Sequence, residues 1–138
     1  GDVAISRVAR NRAPALGDRP VAQAPPDCGA VLRIVDFPPT TPERLKDADM
    51  TREMGAGVQV PDKKADAHPF MHRTRSIDYA LVMSGEIEMM LDDSSVHVKA
   101  GDVVIQQATN HAWVNRGNET CRIAFIMIDA KEPLVWSN

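Results

Sequence analysis

The sequence predicts an all-β protein with one domain, built as an antiparallel sandwich or barrel. From residue 77 onward, short runs alternate apolar and polar residues and are separated by turns rich in Gly, Asp and Ser. No helical period lies between these runs, which argues against a parallel sheet with crossover helices. With 138 residues, of which 43% are hydrophobic, the chain is long enough for one packed core.

The first predicted strand is Ala30–Phe37, in a region that differs from the rest of the chain. Most of the prolines fall between residues 13 and 42, where they disfavour helix and remove amide donors. We therefore predict an extended arm over residues 1–29 and one β-barrel domain over residues 30–138. The start at Thr41-Pro42-Glu43 suggests one or two helical turns before Met54.

The later strands follow from alternation and from turn residues. Ile77–Met83 has the composition of a buried strand, and the next runs alternate with a period of two. Turns are predicted at Ser84-Gly85-Glu86, at Asp92-Asp93-Ser94 and at Ala100-Gly101-Asp102. The strands between and after these turns are 87–91, 96–98, 103–106 and 120–129.

Composition and charge exclude several classes of partner. The net charge of −3 lacks the basic excess of a nucleic-acid-binding protein. The longest apolar runs are far shorter than the roughly 20 residues of a membrane span. Cys28 and Cys121 lie far apart without a CxxC pair, so we expect reduced thiols in a cytoplasmic protein.

Two short segments carry the candidate chemistry. In an extended segment, His72, Thr74 and Asp78 point to one side, and His111 follows some forty residues later. A barrel that joins these strands would bring together two imidazoles and a carboxylate. Such nitrogen and oxygen donors suit Fe(II), Mn, Zn, Ni or Cu. A histidine before a strand also commonly bonds a backbone carbonyl, and spacing alone does not separate the two roles.

These segments resemble the two signature motifs of the cupin superfamily over about residues 66–130. The first motif is matched by His72-x-Thr74, then Asp78, and then Gly85 after six intervening residues. The second is matched by Gly101-Asp102, by His111 and by Asn115. A likeness to small single-domain cupins of the cupin-2 type, whose activity is unassigned, extends to the run at 32–39. The resemblance implies a double-stranded β-helix, a jelly-roll barrel, that forms a homodimer.

The resemblance is incomplete at the ligand positions. Thr74 stands where the family has a second histidine, and the shorter Asp78 replaces a glutamate. The turn before His111 is one residue short, and its Pro and Gly are Gln107 and Thr109. We therefore assign metal binding and catalysis to His72, His111 and Asp78, with either a divalent metal or no cofactor.

Further residues are candidates for a substrate pocket. Tyr79 and Trp113 lie beside the motif residues in a chain with only 4% aromatics, and Thr74 shares their neighbourhood. Both aromatic residues are equally compatible with an ordinary core. Arg122 lies among apolar residues; the sequence does not fix its face, and an arginine inside the barrel would favour an anionic substrate.

Two functions from different classes fit these residues. The first is a cupin enzyme acting on a small organic molecule, an acid or an aromatic metabolite, in an oxygenase, isomerase or lyase type of reaction. The second is a non-catalytic small-molecule-binding or sensor module, which is favoured by the incomplete set of metal-ligating residues. A third class, an assembly protein whose proline-rich region pairs with a neighbouring subunit, fits the arm but not the histidines.

Overall fold

The structure is a computed structural model that describes residues 3–7, 24–42, 58–59 and 70–131. Side chains are discussed for 24–42 and 70–131. The helical turns predicted up to Met54 lie mainly outside these ranges, as does most of the predicted arm. The domain boundary at residue 29 stays a prediction.

The elements named within the described ranges are ten β-strands, in agreement with the predicted all-β class. In chain order they are β1 Val3–Arg7, β2 Ala30–Phe37, β3 Val58–Gln59, β4 Arg73–Thr74, β5 Ser76–Ser84, β6 Glu86–Met90, β7 Ser95–Lys99, β8 Val103–Gln107, β9 Ala112–Val114 and β10 Cys121–Asp129. β2 has the predicted bounds, and the strands predicted at 77–83 and 120–129 are confirmed within one residue at each end.

Two sheets enclose the interior. The larger has the order β1-β2-β10-β5-β8, and the smaller has the order β7-β6-β9. All pairings in both sheets are antiparallel except β1 with β2, which is parallel. β3 and β4 form a separate two-stranded ladder, and an isolated antiparallel bridge joins His72 to His111.

Gly85 turns the chain from the larger sheet into the smaller one. Its φ is +75°, and a Cβ there would approach the Thr120 carbonyl oxygen to 2.9 Å and the Cys121 Cα to 3.0 Å. A side chain at this position would meet backbone rather than a flexible neighbour. The glycine is therefore required both by the conformation and by the space.

The inward-facing side chains form two ends of the barrel interior that differ in polarity. The apolar end consists of the buried side chains Val82, Ile87, Val98, Cys121 and Ile123. The polar end consists of the buried side chains His72, Thr74, Ser76, Asp78, Gln106 and His111. Trp113 belongs to the apolar cluster and also contacts His111, with ring centroids 6.2 Å apart, so it lies between the two ends.

Candidate functional site

The His72–His111 pair is the centre of the polar end. The two residues exchange both backbone N–H to C=O bonds, each 2.9 Å long, and so lie directly opposite each other. Their side chains fall on the same side of this bridge, with ring centroids 4.3 Å apart, and each residue is 3% exposed. The fold thus brings together the two histidines that the sequence singled out.

Backbone carbonyls fix the orientation of both imidazoles. Nδ1 of His72 lies 2.9 Å from the Phe70 carbonyl oxygen. Nδ1 of His111 lies 2.9 Å from the Thr109 carbonyl oxygen. A carbonyl can only accept, so Nδ1 carries the proton in these bonds and Nε2 keeps its lone pair in the neutral ring.

Gln106 supports His111 from β8. Its side-chain amide lies 2.7 Å from His111 Nδ1 and 3.4 Å from the Thr109 carbonyl oxygen. With its oxygen turned toward His111, the amide accepts from the Nδ1 proton, and the approach to the Thr109 carbonyl oxygen is then no longer a hydrogen bond. The carbonyl comes from the turn at Ala108, a non-glycine residue held at φ +51°. The sequence analysis did not single out Gln106, because it predicted this strand without assigning which of its side chains face inward.

Burial keeps both rings neutral. Loss of solvent lowers the pKa of His72, although its bond to the Phe70 carbonyl opposes the shift. The pKa of His111 falls to about 3, first because of burial and then because of the neighbouring His72. A second positive charge beside the first would be unscreened in this interior.

Asp78 forms a second group with Thr74 and Ser76 rather than joining the histidines in a metal-binding cluster. The Thr74 hydroxyl lies 2.8 Å from Ser76 Oγ and donates to Asp78 Oδ2 at 3.4 Å. Burial raises the pKa of Asp78, and the bonds from Ser76 and Thr74 oppose the shift. Its other oxygen, Oδ1, is buried without a hydrogen-bond partner.

The donor set falls short of a three-ligand metal centre within residues 24–42 and 70–131. The pair supplies two imidazole nitrogens, which suit a divalent metal, but no third His, Cys, Asp or Glu completes a metal-binding group in these ranges. His72, His111 and Asp78 are thus not grouped as one metal-binding cluster in these ranges, and the role of Asp78 as a ligand stays a prediction. His68 lies outside the described residues.

Trp113 is the one predicted pocket residue that contacts the histidine pair. Its indole Nε1 is buried without an acceptor, and its ring meets Phe125 edge-on at 5.7 Å. Thr74 faces the same interior but is bonded to Ser76 and Asp78. An unpaired buried donor or acceptor destabilises a fold by about 1–3 kcal/mol, so a ligand or water that bonds to it would stabilise the protein.

Tyr79 and Arg122 face away from this interior. Tyr79 alternates with the buried Asp78 and Ala80 on β5, so it lies on the outer face of the larger sheet. Arg122 is also on the outside, with 52% of its side chain exposed, and it donates to both carboxylate oxygens of Asp36 at 2.6 and 2.8 Å. The assignment of these two residues to the pocket was therefore wrong.

The inward arginine is Arg33 on β2, which the sequence analysis missed. It alternates with Leu32 and Ile34, and its register partner on β10 is Phe125. A charge in the apolar run at 30–37 was the available signal. Arg33 and Asp36 lie an odd number of residues apart, so one of them had to face inward.

Asn115 has a structural role in the second motif. Its amide donates to the carbonyl oxygens of Phe37 at 2.8 Å and Glu119 at 2.7 Å, and its oxygen accepts from the Gly117 amide at 2.9 Å. These bonds hold the loop after β9 against the end of β2. A nearby surface cleft of about 260 Å³ is lined by Asn115 and neither histidine, and we assign it no function.

Comparison with known proteins identifies the family. The family Cupin_2, described as "Cupin domain", matches residues 57–128. Phomopsin biosynthesis cluster protein C′ of Diaporthe leptostromiformis is 39% identical over 79 residues, which are 56% of this chain and 42% of that protein. Cupin-domain-containing oxidoreductase srdD of Neurospora crassa is 32% identical over 108 residues, 75% of this chain and 42% of that protein.

The chain thus spans less than half the length of these curated relatives. Among solved structures, an RmlC-like cupin family protein with a double-stranded β-helix fold from Methanocaldococcus jannaschii is similar with a TM-score of 0.48 and 13% identity. The similarity covers 72% of this chain and 70% of that one. The fold and the family match agree, and the chain belongs to the Cupin_2 family of cupin domains.

Proposed function

We propose that this chain is a cupin enzyme that acts on a small organic molecule in the barrel interior, with the His72–His111 pair as its reactive centre. The observation that carries the proposal is the antiparallel bridge that holds two neutral imidazoles 4.3 Å apart. Both Nδ1 atoms are occupied by backbone carbonyls, so two Nε2 lone pairs remain for a ligand.

The low proton affinity of the pair favours some roles over others. A general base works best with a pKa near the working pH, whereas the pKa of His111 is about 3. A buried neutral imidazole instead accepts a hydrogen bond from a substrate hydroxyl or donates its lone pair to a divalent cation. Among oxygenase, isomerase and lyase chemistry, the oxidoreductase names of three relatives favour the oxidative type.

A non-catalytic binding or sensor module is the second candidate. It is favoured by the two-imidazole donor set and by Thr74, which bonds Ser76 and Asp78 where the family pattern has a histidine. Such a module would hold a small molecule in the same interior without turnover. The Nε2 atoms of the pair would then serve only as hydrogen-bond acceptors.

The test compares the wild type with His111→Ala and His72→Ala, prepared without a histidine tag. Metal content is measured before and after reconstitution with Fe(II), Mn, Ni and Zn. Oxygen consumption and substrate loss are then followed with a panel of small organic acids. The matched control is His97→Ala, because this histidine is exposed and lies on β7 beside Glu86.

We expect turnover by the wild type and by His97→Ala, and loss of turnover in folded His111→Ala and His72→Ala. Metal that binds in a fixed ratio and is lost in these two variants would assign the metal-dependent form. A folded His111→Ala variant with full activity would overturn the proposal. Ligand binding without turnover by any metal-loaded form would favour the sensor module.

We also propose a homodimer in which two copies pack through the outer face of the larger sheet. Strand register arranges this face in uncharged rows: Leu32–Ile126–Tyr79–Ile105, Ile34–Ala124–Leu81–Val103 and Ala30–Ile128–Ile77–Gln107. Ile105 is 59% exposed and Val103 is 55% exposed. A continuous apolar patch of this kind is typical of protein interfaces.

A second copy is the occupant that the charge pattern favours. Across β2, β10, β5 and β8 the three rows carry no charge, so a two-fold contact of these four strands with themselves brings no like charges together. The row of Ile34 continues to Arg7 on the edge strand β1. The charges at the next row, Arg122 and Asp36, already neutralise each other. We expect a dimer in sedimentation velocity, a monomer for Ile105→Glu, and a dimer for Val96→Glu on the other sheet. A wild type that stays monomeric over the whole concentration range would refute the interface.

We further propose a cytoplasmic location. Cys28 and Cys121 are both free, as expected for a reducing compartment. No helix among the described residues is long and apolar enough to cross a membrane.

A further inference from the structure

Arg33 projects from β2 toward the interior between the two sheets. Asp36 on the same strand bonds the exposed Arg122, which marks the even-numbered positions of β2 as the outer side. Arg33 is on the opposite side, between the inward positions of Val31, which is 5% exposed, and Val35. Its register partner Phe125 packs against the apolar cluster.

Three other arginines have a carboxylate partner: Arg75, Arg116 and Arg122 pair with Asp129, Glu88 and Asp36, respectively. No such ion pair is found for Arg33 among the side chains of residues 24–42 and 70–131. Its Nε is buried without an acceptor in these ranges, and burial lowers the pKa of the guanidinium. A desolvated cation without a counter-ion is unfavourable, and a fold that keeps one gains from an anion bound beside it.

An aromatic wall connects Arg33 with the histidine pair. Phe125 meets Trp113 with ring centroids 5.7 Å apart, and Trp113 meets His111 at 6.2 Å. The indole Nε1 of Trp113 also lacks an acceptor. A molecule along this wall would have apolar contacts along its body, a cation at one end and two imidazole lone pairs at the other.

We propose that Arg33 binds the carboxylate of a small organic acid whose aromatic or apolar body lies against Phe125 and Trp113. The planar guanidinium matches a carboxylate, and a charge-assisted bond is stronger than one to a neutral amide. The proposal rests on the assignment of the barrel interior as the substrate site. It names the substrate class and would also apply to a binding module.

The experiment measures binding rather than turnover, so its outcome is independent of whether the histidines are catalytic. Benzoate, phenylacetate and acetate are compared with their neutral amides by Trp fluorescence and thermal shift. The proteins are the wild type, Arg33→Gln and Arg33→Met. Arg122→Gln is the matched control, because its guanidinium lies on the outer face.

We expect at least one aromatic carboxylate to bind the wild type and Arg122→Gln about tenfold more tightly than it binds Arg33→Gln. The amides should bind weakly and equally to all four proteins. Without ligand, Arg33→Met should melt at a higher temperature than the wild type, because the unpaired cation is gone.

Two results would overturn the proposal. One is that no carboxylate binds the wild type better than its amide. The other is that Arg33→Met is less stable than the wild type without ligand, which would make Arg33 a structural residue. A carboxylate that binds through Arg33 without any turnover would leave this inference standing and contradict only the proposed enzyme.

Discussion

The two ends of the barrel interior meet along β5 but differ in what their side chains contribute. At the apolar end, Ile123 and Cys121 are fully buried and pack against Val82 and Ile87. At the polar end, two imidazoles and a carboxyl group are buried in neutral or partly satisfied states. The apolar end stabilises the fold by burying apolar surface, whereas the polar end buries titratable groups at some loss of stability, as expected for the ligand site that we propose.

The largest expected effect is a loss of stability on truncation at the apolar end. Ile123 is 0% exposed and lies in the main cluster, so Ile123→Ala should lower the free energy of unfolding by about 2–5 kcal/mol. Urea denaturation with an unchanged m-value measures this. The control, Val96→Ala at a 46% exposed site on β7, should lose no more than about 1 kcal/mol. Equal losses would contradict the assignment of the core.

The second effect is a pH dependence that comes from the polar end. Both histidines have lowered pKa values in the fold, so below pH 6.5 the unfolded chain binds protons that the folded chain does not, and for His111 this window extends down to about pH 3. Stability should therefore rise with pH in this window, by up to about 1.4 kcal/mol per pH unit for each histidine. Chemical denaturation at a series of pH values measures the slope.

A matched pair of variants assigns that slope to the histidine pair. His111→Gln removes one of the two buried imidazoles, so its stability should depend less steeply on pH. His97→Gln alters a histidine whose side chain is 62% exposed and should leave the slope unchanged. The assignment fails if His97→Gln flattens the profile as much as His111→Gln does.

The difference between the two ends also explains what the sequence could and could not predict. Alternation predicted β2, β5 and β10 well, and the motif spacing selected His72 and His111. The outer face of the larger sheet is almost as apolar as its inner face, so alternation could not reveal which side of β10 Arg122 occupies. The same ambiguity hid the outward direction of Tyr79.

The long-range partners were beyond sequence reasoning for a different reason. Arg122 pairs with Asp36 because antiparallel register sets them opposite each other, 86 residues apart in the chain. Once Asp36 faces outward, Arg33 must face inward. Likewise, the hydrogen bonds that connect Ser76, Thr74 and Asp78 depend on side-chain conformations, which residue spacing does not encode.

The smallest effect concerns the carboxyl group at the polar end. Burial raises the pKa of Asp78 above 3.8, so the folded chain holds a proton that the unfolded chain has released. Its effect on stability is opposite to that of the histidines: stability falls as pH rises above 3.8. Asp78→Asn removes this term, so the stability of the variant relative to the wild type should increase as pH rises through the window.

Comparison with Asp129→Asn makes the sign of that effect decisive. The pKa of Asp129 is lowered, chiefly because its carboxylate accepts a bond from the Cys28 amide at 2.8 Å. The stability of the wild type relative to Asp129→Asn should therefore increase as pH rises toward 3.8. Its stability relative to Asp78→Asn should instead decrease as pH rises above this value. The histidine contributions cancel in each difference, because both histidines are present in every protein compared. If the stability of the wild type changes in the same direction relative to both asparagine variants, burial of Asp78 does not lower stability. The contrast between the two ends would then fail for this residue.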